Sequence, residues 1–326
     1  MKIDFVVTWV DSNDRNWQTN KAKYCPDDVK LNDNARYRDS GLFKYWFRSV
    51  EKYAPWVNKI FLVTEGHLPE WIDISNEKIV HVKHSDYIPE KYLPTFNSNV
   101  IELNLHRIEE LSEYFVLFND DLFLNSEVHP EDFFKNKLPK ELGIYSPIPP
   151  HDEYSMMVFN DVRIINKHFS NRKNRLKNWR KLISYKYGIS QFRNLFIFMW
   201  NDAIGYFNQH ITTAFLKSTF FDVWEKEEEA LDQVCMNKFR TMLDLNQWLM
   251  RYWQIENGKF EPRDKNFGVY LNVDNTKGIS KEIKGNKKVL CINDISYDDM
   301  NAEKEDTILI TKLFEEKFPS KSIFEL

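Results

Sequence analysis

The stretch "FVLFNDDLFL", residues 115–124, sets an amide and two carboxylates between two apolar runs. A short apolar run closed by turn-forming residues reads as a buried strand. The polar triplet at its end admits two readings. Asn119, Asp120 and Asp121 can simply turn the chain, because Asn and Asp side chains bond their own backbone. Two adjacent carboxylates at the carboxyl end of a buried strand can also hold a divalent cation through oxygen, as sites for Mg²⁺ on substrate phosphates do.

The neighbouring sequence says what fold the strand belongs to. Residues 3–10, "IDFVVTWV", read as a buried strand ending at Asp11, with "DSND" as the next loop. In "YRDSGLFKYWFRSVEKYAPW", Leu42, Trp46, Val50 and Tyr53 fall at helical spacing behind Asp39 or Ser40 as an N-cap. "KIFLVTE" (59–65) and "KIVHVKH" (78–84) are short β-rich runs, and residues 98–111 return to helical spacing after Asn97 and Ser98. "KVLCIND" (288–294) is a late strand that delivers Asn293 and Asp294. Strands alternating with helices predict an α/β, Rossmann-like, largely parallel sheet flanked by helices, a class whose ligands gather at the carboxyl ends of strands. Asp11 and the Asn-Asp-Asp triplet belong at that edge. The whole chain, 1–326, is expected to form one catalytic domain, with a helical, partly basic elaboration over 150–258 inside it.

Composition narrows the partners. A chain that is 42% hydrophobic and 29% charged with only 9 Gly is an ordinary globular protein rather than a disordered one. A net charge of −4 gives no global reason to expect nucleic acid. Any basic footprint is local, and one exists: between Val162 and Asn201 stand ten Lys or Arg and no Asp or Glu. Interleaved with Trp179, Tyr185 and Phe192, they suggest a surface for anionic lipid headgroups or a polyanionic acceptor, against the plainer reading of a solvated helical face. Cys25, Cys235 and Cys291 lie far apart without C-x-x-C spacing, which indicates neither a disulfide framework nor a zinc site and suits a reducing cytoplasm. The opening residues do not read as a signal peptide, and the longest apolar run, "LFIFMW" (195–200), is too short to span a bilayer.

Four stretches, in order and spanning nearly the whole chain, carry a resemblance. They are "IDFVVTWVDSND"; the run from "ARYRDSGLFKYWFRSV" through "YFVLFNDDLFL"; "FNQHITTAFLKSTFFDVWEKE" with "NKFR" downstream; and "VLCINDISYDD" with the closing "LFEEKFPSKSIFEL". Together they resemble the Stealth family of sugar-phosphate transferases. That family includes bacterial capsular polysaccharide hexose-1-phosphate transferases and the catalytic subunit of the lysosomal-enzyme N-acetylglucosamine-1-phosphotransferase. Ser12 stands where the family commonly has Gly, and Thr212 where it often has Pro. Neither change removes a charged or nucleophilic group. The basic segment matches only loosely.

The resemblance implies a GT-A-like form of the fold and transfer of a hexose 1-phosphate, such as N-acetylhexosamine 1-phosphate, from a UDP-sugar to an acceptor sugar hydroxyl. UMP leaves, and the product is a phosphodiester of capsular or cell-surface polysaccharide. By this likeness Asp120, Asp121 and Asp294 hold Mg²⁺ or Mn²⁺, and Trp9, Asp11 and Asn13 lie by the nucleotide. Arg36 and Arg38 supply forked donors to phosphate oxygens. Asn97, Asn99, Asn119 and Asn293 orient substrate. His210 takes the acceptor's proton, since an imidazole titrates near neutrality. Lys217 and Arg240 stabilise charge on the phosphoryl group, with Asp121 beside them. The rivals are a metal-dependent glycosyltransferase that releases UDP and a non-catalytic module that binds glycan or lipid. The expected location is cytoplasmic, with a peripheral place on the inner face of the cell membrane left open.

Overall fold

The structure, a computed structural model, describes residues 1–24, 37–38, 40–169, 172–297 and 299–326. Arg36, Asp39 and Cys25 therefore lie outside the described residues. The strands, in order, are β1 (Ile3–Thr8), β2 (Ile60–Thr64), β3 (Ile79–Lys83), β4 (Tyr114–Asn119), β5 (Leu122–Leu124) and β6 (Phe134–Lys135). After them come β7 (Leu138–Glu141), β8 (Thr213–Leu216), β9 (Glu261–Pro262), β10 (Gly268–Asn272) and β11 (Val289–Asn293). The central sheet has the order β3-β2-β1-β4-β8. Its first four strands are parallel, and β8 closes the edge antiparallel to β4. This is the α/β, largely parallel sheet that the alternating pattern predicts.

Both faces of the sheet are buried. Phe5, Val7, Val116 and Phe118 join one apolar cluster, while Val6, Phe115 and Leu117 join the other. The alternation follows from the two-residue period of a strand, and full burial explains why these runs read as continuously apolar. Helix Phe43–Tyr53 covers the first face with Phe43, Trp46, Phe47 and Val50. It starts one residue after Leu42 without a side-chain cap, so Ser40 does not serve as its N-cap. Helix Ser98–Leu103 is capped by Asn97, whose side chain accepts from the Asn99 backbone N–H. It ends earlier than its apolar spacing suggests. Asn104 turns its amide onto the Val100 carbonyl at 2.8 Å, a local bond that competes with helix continuation.

The second half is helical but returns to the sheet. Helix Glu153–Phe169 precedes β8, and helices Lys217–Cys235 and Trp248–Glu256 come after it. The stretch expected to be a helical elaboration thus contributes a strand to the central sheet. The basic segment within it also needs correction. Arg175 is 2% exposed and points inward, 3.3 Å from the Glu256 carboxylate, with a further bond to the Asn201 carbonyl at 2.6 Å. Lys181 donates to the Gly258 carbonyl and Lys186 to that of Pro262. Part of the basic bias therefore holds the excursion onto the body of the protein. No helix among the described residues is long and apolar enough to cross a membrane.

Candidate active site

β4 ends at Asn119, and Asp120 and Asp121 form a two-residue turn into β5. β5 belongs to a different sheet, where it pairs antiparallel with β11, Leu122 opposite Cys291. The turn and the site are therefore the same two residues. The Asp121 carbonyl accepts from the Ile292 N–H at 2.9 Å, which fixes the turn against the late strand. Above it opens a cleft of about 1100 Å³.

Asp120, Asp121, His210, Arg240, Asn119, Asn99, Asn293, Asp294 and Arg38 all line this cleft. His210 lies on the segment that leads into β8. Its Nε2 stands 3.4 Å from Asp121 Oδ2. Burial pulls the imidazole's pKa down, but the charge and hydrogen bond of Asp121, with Glu102 beyond, pull it further up, so the net lies above the ordinary value. Asp121 Oδ2 also accepts from the buried Cys291 thiol at 3.3 Å. Burial and the adjacent Asp121 push that thiol well above its usual range and keep it protonated.

Glu102 is the residue that the sequence did not offer. Only 6% exposed, it lies in the cleft wall on helix Ser98–Leu103 and accepts from the Asn119 amide at 3.3 Å. Burial raises its carboxyl above the ordinary range, opposed by Arg240, the Asn119 amide and His210. Its sequence signal is slight, because it reads as an ordinary polar position of a helix. Arg240 hydrogen-bonds Ser98 Oγ in the same wall. Arg38 pairs with Asp294 Oδ2 at 3.3 Å and with Glu303 at the rim.

Other expected site residues lie elsewhere. Lys217 comes directly after β8 and so sits at the far end of the sheet, since Leu216 is opposite Tyr114 at the start of β4. Its ammonium donates to the carbonyls of Ile108, Glu109 and Leu111 at 2.8–3.2 Å and tethers a loop there. Asn97 is fully buried, and its amide donates to Asp244 at 2.7 Å. Asn99 faces the cleft, but its amide is also held by Asp244, at 3.1 Å. Trp9 stacks on Phe43 with centroids 5.7 Å apart and stands behind the cleft wall. Asp11 and Asn13 do not line the cleft; Asp11 accepts from the Asn13 N–H at 2.8 Å, closing its own turn. They leave the same sheet edge as the carboxylates, because Thr8 lies opposite Asn119.

A divalent cation fits the chemistry of this wall. Asp121 Oδ1 is buried and has no hydrogen-bond partner among the described residues, which is costly unless a ligand satisfies it. Ligand atoms of Asp121, His210 and Cys291 lie within 4.8 Å of one another. The protonated thiol is a poor partner for a hard cation, whereas the carboxylates of Asp120, Asp121 and Asp294 are the oxygen donors that Mg²⁺ and Mn²⁺ prefer.

Fold and cleft define an α/β protein whose carboxylates, imidazole and guanidinium groups meet at the carboxyl edge of parallel strands. Residues 1–26 match Stealth protein conserved region 1, and residues 36–141 match conserved region 2. A capsular polysaccharide phosphotransferase of Streptococcus pneumoniae, WcwK, is 47% identical over 99% of this chain and 98% of its own. The receptor polysaccharide phosphotransferase WefC of Streptococcus gordonii is 40% identical over 100% of this chain and 99% of its own. The chain belongs to the Stealth family of polysaccharide phosphotransferases. Among solved structures it overlaps the galactosyltransferase LgtC over 98% of both chains, at 8% identity and a TM-score of 0.43. That overlap is too loose to define fold or chemistry.

Proposed function

We propose that this enzyme transfers a hexose 1-phosphate from a UDP-sugar to a hydroxyl of an acceptor sugar, forming the phosphodiester of a capsular or exopolysaccharide. The observation that carries the reading is His210 held by Asp121 at 3.4 Å in a cleft that also contains Asp120, Arg240 and Asp294. An imidazole backed by a carboxylate is a general base, and phosphoryl transfer needs little besides a base, positioning and neutralisation of charge.

In the reaction the acceptor oxygen bonds to the phosphorus that carries the sugar. The bond from that phosphorus to the bridging oxygen breaks, UMP departs with its electron pair, and the acceptor's proton passes to His210. Asp121 orients the imidazole and stabilises its charged form, with Glu102 adding to the same field. Arg240, held beside Glu102, offsets negative charge on the phosphoryl oxygens. Asn119 and Asn293 line the cleft where the sugar hydroxyls need donors and acceptors. Asp120, Asp121 and Asp294 are the residues that would hold Mg²⁺ or Mn²⁺, whose charge screens the diphosphate when bound. Trp9, Asp11 and Asn13 support the nucleotide's end of the cleft from the adjoining loop.

The decisive experiment incubates the purified protein with a panel of nucleotide sugars, an acceptor oligosaccharide and Mg²⁺, and identifies the nucleotide released. UMP with a phosphodiester product is the expected result. UDP with a phosphate-free glycosidic product would replace this reading with ordinary glycosyl transfer, and no released nucleotide under any donor would leave a binding module.

A further inference from the structure

The excursion between β7 and β8 turns several large apolar side chains to solvent. On the 3₁₀ run Tyr185–Phe192, Tyr185 is 84% and Ile189 78% exposed, and Phe192 is also exposed. Phe196 on helix Arg193–Ile197 and Met199 just beyond it continue the set, each more than half exposed. Isolated exposed apolar residues are normal, but a concentrated group of large ones marks a contact surface. Lys177, Arg180 and Arg193 are exposed on the same excursion, and residues 162–201 contain no carboxylate side chain.

The charge pattern selects the occupant. A second copy docking through this surface would set cation against cation, since residues 162–201 supply no carboxylate of their own to relieve it, which self-complementary interfaces avoid. Apolar and aromatic side chains rimmed by Lys and Arg instead match the boundary between acyl chains and anionic headgroups, where a protein can lie on a bilayer without crossing it. The surface also borders the cleft. Lys265, a lining residue, donates from Nζ to Ser190 Oγ and from its backbone N–H to the Lys186 carbonyl, both at 3.1 Å.

We propose that the exposed face of residues 176–200 docks the enzyme on an anionic phospholipid bilayer, with Ile189, Phe192, Phe196 and Met199 seated below the headgroups and Lys177, Arg180 and Arg193 among them. This orientation holds the mouth of the cleft at the membrane surface. The proposal stands independently of the reaction assigned to the cleft.

The test is co-sedimentation of the full chain with vesicles of phosphatidylcholine alone or mixed with phosphatidylglycerol. The wild-type protein is expected to sediment with the mixed vesicles, and to release as NaCl screens the headgroups. The variant I189S/F192S/F196S is expected to lose about tenfold or more in partitioning, and K177E/R180E a similar amount with a weaker salt response. Thermal unfolding of both at the wild-type temperature shows that the loss is not misfolding. Wild-type protein that stays in the supernatant with both vesicles overturns the proposal. So do variants that bind as well as wild type, or a wild-type dimer in sedimentation velocity that I189S/F192S/F196S converts to monomer.

Discussion

His210 Nε2 lies 3.4 Å from Asp121 Oδ2, and the same oxygen accepts from the Cys291 thiol. One carboxylate oxygen thus ties the base to the late strand, while the other oxygen is buried and unpartnered among the described residues. Replacing His210 with Ala should lower kcat by about 10²- to 10⁴-fold, the range for loss of a general base, while donor binding measured by calorimetry stays close to wild type. Unchanged turnover would remove His210 from the reaction.

The pH profile gives a second check. A general base works when neutral, so activity is lost as pH falls through its pKa. Because Asp121 and Glu102 outweigh burial and raise that pKa, the acid limb of kcat should have its midpoint above 6.5. Glu102→Gln removes one of the raising charges and should move the midpoint down. A midpoint that does not move would mean that Glu102 does not act on the base.

Chelation should abolish transfer, and Mg²⁺ or Mn²⁺ should restore it. Asp121→Asn should weaken Mn²⁺ binding as seen by electron paramagnetic resonance, since it removes a carboxylate from the proposed oxygen donors. Cys291→Ser keeps a donor toward Asp121 Oδ2 and should leave the metal affinity within a few-fold of wild type. A large loss in that variant would instead make sulfur a ligand.

Lys217→Met should destabilise the protein by about 1–3 kcal/mol in urea unfolding, because three loop carbonyls lose their charged donor. Turnover of the folded fraction should be unaffected. A variant of full stability and low kcat would return Lys217 to the chemistry.

Arg175→Ala should cost about 3–5 kcal/mol, since it removes the cation paired with the buried Glu256 carboxylate and leaves that charge to two tyrosine hydroxyls. A surface cation would show almost no change in the same measurement.

Much of this was legible in sequence because strands buried on both faces advertise themselves. The runs at Ile60–Thr64, Tyr114–Asn119 and Val289–Asn293 needed no tertiary knowledge to find. Strand direction is different. His210 precedes β8 and Lys217 comes after it, so the two stand beyond opposite ends of the extended strand Thr213–Leu216. The family resemblance put both in the phosphoryl-transfer site, and the antiparallel edge strand carries Lys217 away from it. Arg175 was misjudged for a related reason, because charge composition does not record which side chain turns inward. Glu102 was missed because a polar residue on a short helix looks solvated until the fold brings Arg240 and Asn119 against it.

The two-residue turn at Asp120 and Asp121 has a consequence for how this protein can change. With β4 locked into one sheet and β5 into another, the count of residues between Asn119 and Leu122 is as constrained as their identity. A single inserted or deleted residue would invert the pleat of everything beyond it and slide Leu122 off Cys291. The turn therefore has no slack in length.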